Sequence, residues 1–248
     1  MIVDVLSFST SVSISTGRGT AVYPHPWPAP DLEAFVALRD AALAVPRHQV
    51  GPGHPWSLSP TDLLQAQAPG RLVLPSPNGS AIAAATAAAG AHVLAGSLRN
   101  ATAVADWLQA HGFATREHPA VVIAAGERWP NGQLRPALED LLGAGAIIAA
   151  LNPQALRSPA AAAAAACWYG CQQQSGQLLR DCSSGRELTG AGYASDVALA
   201  ANTMPSPLSH CSSAPPSAAP LIGPNTPDSV PSNRFPSVLS NVHRVYPL

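Results

Sequence analysis

Acidic side chains stand at several points where an apolar segment ends or a new helix is expected. Asp4 lies late in the apolar run that opens the chain, and Glu127 follows a second such run. Glu139 and Asp140 lie in the next stretch, which has helical character. Burying a carboxylate is costly unless a cation or several donors accompany it, and converging carboxylates suit a hard cation such as Mg²⁺. We predict that these acids approach one another; the alternatives are a helix-capping Asp4 and a structural Arg–Glu network.

Two strand-to-helix turns carry hydroxyl and amide groups. Ser9 and Thr10 follow Asp4 and open a helix, where hydroxyls and free backbone N–H groups favour an anion. Asn78, Gly79 and Ser80 form a second turn, in which the glycine lets the backbone approach a ligand. Both turns are compatible with ordinary helix capping as well as with anion binding.

Arginines provide the third group of candidates. Arg99 stands in the first turn of a predicted helix, where a cation opposes the helix dipole unless it meets an anion. Arg128 and Arg135 flank the acidic segment, and a guanidinium fork matches phosphate or sulfonate oxygens. Taken together, the acids, hydroxyls and arginines predict an anionic substrate and a divalent metal.

The elements that must position these groups alternate along the chain. Short, nearly continuous apolar runs are separated by Ala- and Leu-rich stretches, a pattern typical of a parallel sheet covered on both faces. The predicted strands are 1–6, 20–23, 71–75, 92–95 and 120–124. The predicted helices are 9–17, 31–44, 80–89, 98–111, 135–150 and 158–169. The fold class is therefore α/β, and the carboxyl ends of such strands are where a ligand is expected.

Composition excludes several kinds of protein. Of 248 residues, 47% are hydrophobic and 11% charged, with a net charge of −1, so nothing attracts nucleic acid or an anionic membrane surface. The first residues lack a basic segment and contain Asp4, and no apolar run reaches the length of a membrane span. We expect a cytoplasmic protein. The oligomeric state is left open, including a homo-oligomer.

Composition changes after residue 201. Residues 202–248 are rich in proline and serine, carry few charges and show no periodicity, so we predict a disordered tail there. The chain thus divides into an α/β domain over 1–201 and a tail over 202–248.

A set of motifs in the first 201 residues resembles the 2-phosphosulfolactate phosphatase family. The motifs, in chain order, are DVLSFST, LPSPNGS, AGSLRNA, AAGERWPNGQLRPALEDLLGAGAI and LLRDCSSGRELTGAGYASDVALAA. Their order and spacing match the family as well as their content. The resemblance implies a three-layer α/β/α fold with a mostly parallel sheet and a Mg²⁺-dependent phosphatase of coenzyme M biosynthesis.

The resemblance also implies roles for individual residues. The acidic metal region would comprise Asp4, Glu127, Glu139 and Asp140, with Asp4 and Glu127 as the catalytic residues. The phosphate and the second acidic group of the substrate would be surrounded by Ser9, Thr10, Asn78, Gly79, Ser80, Arg99, Asn100, Arg128 and Arg186. The nucleophile is either metal-activated water or a carboxylate, for which Asp4 is the candidate.

Two departures from the family pattern concern the ends of the domain. The first strand begins almost at Met1, and the proline- and serine-rich segment stands where the family has a short apolar strand. We therefore expect edge strands to be missing at both ends, which would expose the sheet. The expected activity is hydrolysis of a phosphate monoester of a small sulfonated or carboxylated acid. The alternative is a non-catalytic binder of anionic metabolites or an inactive remnant of the family.

Overall fold

The computed structural model describes residues 1–152, 157–202 and 245–247, and its strands are short. They are β1 (Ile2–Val3), β2 (Ala21–Pro26), β3 (Ala42–Leu43), β4 (Arg71–Ser76), β5 (Ala95–Gly96), β6 (Val121–Ala124), β7 (Glu127–Arg128), β8 (Leu134–Arg135) and β9 (Val245–Pro247). The helices are α1 (Phe8–Gly17), α2 (Leu32–Arg39), α3 (Pro60–Gln65), α4 (Gly79–Ala88), α5 (Ala101–Ala110), α6 (Leu138–Ala150), α7 (Pro159–Cys171), α8 (Ser175–Asp181), α9 (Ser183–Gly190) and α10 (Ala194–Ala201).

The parallel strands form two sheets, which confirms the α/β class but not the expectation of one sheet. In the first sheet, with the order β5–β1–β6–β9, strands β5 and β6 both pair in parallel with β1. The second sheet has the order β2–β4–β3 and is wholly parallel. Strands β7 and β8 form a separate antiparallel hairpin.

Side chains of successive residues in the first sheet point to opposite faces, and each face packs against other elements. In β1, Ile2 belongs to an apolar cluster shared with Leu72 and Leu74 of the second sheet, and with α1 and α4. The next residue, Val3, points into another cluster, which is formed with α5, α6, α7 and α8. Successive strand side chains point to opposite faces, so each short strand contributes to two cores. One core therefore lies between the two sheets and joins them.

The edge strand β9 is a correction to the predicted tail. Val245–Pro247 pairs antiparallel with β6, so this side of the sheet has an edge strand where we expected none. Valine and tyrosine favour strands, a local signal that the composition of the whole segment conceals. Residues 203–244 and 248, the rest of the predicted tail, lie outside the described residues.

The predicted helix bounds differ from those in the structure, and at two of the larger differences the reason is local. The helix predicted over 31–44 ends at Arg39, because Asp40 adopts a left-handed conformation (φ 46°) and β3 then pairs with β4. The helix predicted from residue 135 begins at Leu138. Arg135 is extended in β8 and precedes Pro136, and a residue before proline disfavours the helical conformation. Within the described residues, no helix has the length and apolar character to cross a membrane.

Gly145 allows the close approach of α6 and α7. A Cβ added there would overlap the backbone carbonyl of Ala164 and lie 3.0 Å from Cβ of Trp168. We expect Gly145→Ala to lower the free energy of unfolding by about 2 kcal/mol, because the helices must separate. Gly170→Ala, in α7 with open space around it, is the control and should be neutral or stabilising. Urea unfolding of both variants measures the difference, and equal stability would contradict it.

Candidate active site

Asp4 lies just beyond β1 and is 6% exposed. Its Oδ2 accepts a hydrogen bond from the backbone N–H of Gly79 (2.8 Å), and its Oδ1 accepts one from Phe8 (3.3 Å). Burial raises the pKa of Asp4 from 3.8 to about 6, although these two hydrogen bonds oppose the rise. The charge of Glu139 raises the pKa further, and the charge of Arg47 lowers it. Asp4 is thus a buried, oriented carboxyl group between the amino ends of α1 and α4.

Asp140, in the first turn of α6, holds two loops together. Its Oδ1 accepts from the backbone N–H of Val5 and its Oδ2 from that of Gly126, each at 2.8 Å. The loops after β1 and β6 are therefore anchored to the same carboxylate. Burial raises the pKa of Asp140 well above its usual range, and the charges of Asp4 and Glu139 raise it further.

Glu139 is also buried, and it faces a residue that the sequence did not suggest. It interacts through its charge with Asp4, Glu127 and Asp140. Its charge also acts on the thiol of Cys182, which donates a hydrogen bond to the backbone carbonyl of Leu179 (3.2 Å). Burial raises the pKa of Cys182 to about 12, and the charge of Glu139 contributes to that rise. This thiol is therefore protonated at neutral pH and is suited to donating rather than to attacking.

Glu127 opens β7, and its side chain turns toward the other acids. Its Oε2 accepts a hydrogen bond from Nδ2 of Asn78 (2.8 Å). Burial raises its pKa from 4.5 to about 7, the charges of Asp4 and Glu139 add to the rise, and the bond from Asn78 opposes it. The neighbouring residues Asn78 and Gly79 bind Glu127 and Asp4, respectively, so these two predicted acids flank the same turn. A carboxyl group with a pKa near neutrality can both give and take a proton at physiological pH.

The raised pKa of Glu127 makes the stability of the metal-free protein depend on pH. The unfolded chain releases this proton near pH 4.5, whereas the folded protein keeps it until about pH 7. Folding therefore becomes less favourable as the pH rises through this interval, and the penalty is complete above it. We expect Glu127→Gln to raise the melting temperature in EDTA at pH 8 and to have little effect at pH 4. A variant that is no more stable than the unmodified protein at pH 8 would contradict this.

The predicted anion-binding hydroxyls are used inside the fold. The hydroxyls of Ser9, Thr10 and Ser80 donate to the backbone carbonyls of Ile2 (3.2 Å), Val5 (2.8 Å) and Leu74 (2.6 Å), respectively. The side chain of Asn100 accepts from Ser97 and donates to Ala95. While these bonds hold, the four side chains shape the strand ends, and the three hydroxyls have no hydrogen left to donate to a ligand.

Asn78 and Gly79 are placed differently, since both contact the acids directly. The bond from Asn78 to Glu127 and the bond from Gly79 to Asp4 bring the amino end of α4 against the carboxyl end of β1. A Cβ at Gly79 would lie 2.5 Å from Oδ2 of Asp4, so only glycine allows this approach. From the sequence we expected Gly79 to let the backbone approach a ligand; in the structure it lets the backbone approach the carboxylate of Asp4.

Three of the four arginines singled out in the sequence, Arg99, Arg128 and Arg186, contact backbone carbonyls or solvent. Arg99 donates through Nη1 to the carbonyl of Leu199 near the end of α10 (3.1 Å), and its Nε is buried without a partner among the described residues. Burial lowers the pKa of Arg99. Arg128 donates to Gly132 within the β7–β8 hairpin (3.0 Å), and Arg186 is exposed on α9. The structure does not join these three to the acids, and their contacts with an anion stay predictions.

Two other arginines lie at the acidic cluster. Arg135 interacts through its charge with Glu127 and Glu139, but its guanidinium is held by both carboxylate oxygens of Glu187 on α9. This ion pair raises the pKa of Arg135 and lowers that of Glu187. Arg47 donates through Nη2 to the hydroxyl of Ser7 (2.8 Å). The sequence showed no local pattern at Arg47.

The comparisons with known proteins agree with the motifs described above. A search of curated proteins finds no match. The family model of 2-phosphosulpholactate phosphatase matches residues 2–207, which covers β1 through α10 and every residue of the acidic cluster. The chain belongs to the 2-phosphosulpholactate phosphatase family.

Proposed function

We propose that the protein hydrolyses a phosphate monoester of a small sulfonated or carboxylated acid, with 2-phosphosulfolactate as the reference substrate and Mg²⁺ as the cofactor. The observation that carries the proposal is that hydrogen bonds from Asn78, Gly79, Val5 and Gly126 bring Glu127, Asp4 and Asp140 to the carboxyl ends of β1 and β6. The charges of Glu139, Arg47 and Arg135 act on these acids. Family membership supports the phosphatase reaction class. Such a small, highly charged substrate favours a location in the cytoplasm.

The donor chemistry of the cluster fits Mg²⁺, which prefers carboxylate oxygens. In residues 1–152, 157–202 and 245–247, no three Asp, Glu, His or Cys side chains are already arranged around one metal position. Mg²⁺ is commonly held by only one or two carboxylates, together with water and substrate phosphate. Asp4 and Glu139 would hold it, and bound Mg²⁺ would neutralise charge on the phosphoryl oxygens.

The remaining acids have separate tasks in this proposal. Asp140 positions the loops after β1 and β6, because each of its oxygens already accepts a backbone hydrogen bond. Glu127 holds the transferable proton on its carboxyl group, of which Oε2 is oriented by Asn78. It takes a proton from the attacking water or gives one to the leaving oxygen.

The test is phosphate release from 2-phosphosulfolactate by the full chain, with Mg²⁺ and after treatment with EDTA. We expect release that requires Mg²⁺ and is slower with an aryl phosphate that lacks the second acidic group. Release that EDTA leaves unchanged would contradict the metal dependence. Thermal stabilisation by the ester without any release would contradict catalysis and favour the alternative of an anion binder.

A further inference from the structure

Arg47 is held in one orientation by contacts with three residues, Ser7, Tyr193 and Asp196. It opens a short 3-10 turn at Arg47–Gln49, and its side chain is 19% exposed. Its Nη2 donates to the hydroxyl of Ser7, which lies between β1 and α1 (2.8 Å). The centre of the guanidinium lies 5.2 Å from the ring centroid of Tyr193. The side chain is thus fixed beside the loop that carries Asp4.

Asp196, on α10, provides the strongest of these contacts. Its carboxylate is fully buried, and its Oδ2 lies 3.3 Å from Nε of Arg47. Its Oδ1 accepts from the hydroxyl of Ser59 (2.6 Å) and from the backbone N–H of Thr61 (3.1 Å). A buried carboxylate with this many donors is rigid. Its bond to Nε and the bond from Nη2 to Ser7 together fix the plane of the guanidinium.

The third nitrogen of the guanidinium is available. Nε and Nη2 donate to Asp196 and Ser7, whereas Nη1 donates no hydrogen bond to any described residue. Arg135, the other arginine at the cluster, has both terminal nitrogens bound to Glu187. The bond to Ser7 places the guanidinium beside the loop that carries Asp4, and the charge of Arg47 lowers the pKa of that carboxyl group.

We propose that Arg47 binds the phosphoryl oxygens of the substrate through Nη1, and that Asp196 is the positioning residue that holds Arg47 for this contact. The inference rests on the proposed function for the identity of the substrate. An oriented guanidinium needs no rearrangement when charge accumulates on the phosphoryl group, and it partly offsets the repulsion between that group and four carboxylates. Asp196 does not touch the substrate and acts only through Arg47.

The first experiment measures binding of inorganic phosphate in the presence of Mg²⁺ by calorimetry, together with kcat/KM for the ester. We expect Arg47→Ala to weaken phosphate binding at least tenfold and to lower kcat/KM by about 100-fold. Arg47→Lys should recover part of this, because a point charge cannot reproduce an oriented planar donor. Arg71→Ala, at the start of β4 and away from the cluster, is the control and should match the unmodified protein.

The second experiment separates positioning from general structural support. We expect Asp196→Asn to lower kcat/KM about tenfold on its own but to have little further effect in the Arg47→Ala background, because the two residues act as one unit. Added guanidinium ion should partly restore activity to Arg47→Ala and should not restore Asp196→Asn. Additive losses in the double variant would overturn the positioning role.

These measurements also distinguish this inference from the proposed function. If the unmodified protein hydrolyses no phosphate ester but loses phosphate binding on Arg47→Ala, the proposed function fails and the role of Arg47 stands. If the ester is hydrolysed and Arg47→Ala retains both phosphate binding and kcat/KM within twofold, the function stands and the role of Arg47 is overturned.

Discussion

Asp4→Asn is expected to lower kcat/KM for phosphate ester hydrolysis by at least about 10³-fold, the size of effect seen when a central catalytic group is removed. The substitution removes the negative charge and leaves the size of the side chain unchanged. Asn can accept on one atom only, so the second bond, from Gly79 or Phe8, is also lost. Some loss of stability should accompany the loss of activity, because one buried N–H is left unpaired.

The measurement must therefore separate activity from folding. Steady-state kinetics should be normalised to the folded fraction, which is obtained from circular dichroism at the same temperature. Asp106→Asn is the matched control, because Asp106 is exposed on α5. If the Asp4→Asn protein is folded and keeps a tenth or more of the original activity, Asp4 is not a catalytic residue.

Gly79→Ala should damage both stability and activity. The added Cβ would lie 2.5 Å from Oδ2 and 2.8 Å from Cβ of Asp4, and it would also overlap the ring of Phe8. These neighbours are buried and cannot move without disturbing the core between the sheets. We expect the free energy of unfolding to fall by about 3 kcal/mol, at the upper end of the usual cost of overpacking. Displacing Asp4 should also reduce kcat/KM at least tenfold in the protein that remains folded.

A glycine in the first turn of another helix provides the comparison. Gly176 lies near the start of α8. The atoms nearest to a Cβ added there would be Nη1 of Arg180 at 3.8 Å and Cβ of Ala201 at 3.9 Å. Gly176→Ala should therefore be tolerated, because those contacts are of ordinary length. Chemical unfolding and kinetics on both variants test the difference. Normal stability and activity in Gly79→Ala would show that the turn can open without consequence for the site.

The sequence predicted the acidic cluster because the rule behind it is simple. Parallel strands end at a common edge, and Asp4 and Glu127 directly follow strands that prove to be neighbours. The hydroxyl residues were harder to interpret, because a serine after a strand can donate either to a ligand or to a strand-end carbonyl. Ser9 and Ser80 do the latter. Only the three-dimensional structure distinguishes donation to a ligand from donation to a strand-end carbonyl.

Arg47 and Asp196 could not be paired from the sequence. They are 149 residues apart, and neither stands in a pattern that points to the other. The same limit applies to the division into two sheets, because the residues of β2 and β4 look like those of the first sheet. Which distant strands pair with each other depends on how their side chains pack, and the local periodicity of the sequence does not encode it. Arg99 was interpreted from its helix position alone, and its bond to Leu199 on α10 was therefore not foreseen.

The bond between Gly79 and Asp4 joins elements that belong to different sheets. Gly79 follows β4 in one sheet, and Asp4 follows β1 in the other. Binding of a ligand to the carboxylate of Asp4 is therefore linked thermodynamically to the packing of the two sheets against each other. Opening of this junction would break the bond and would let the Gly79 amide exchange with deuterium. The exchange rate of that single amide is thus a reporter of both ligand occupancy and the integrity of the fold.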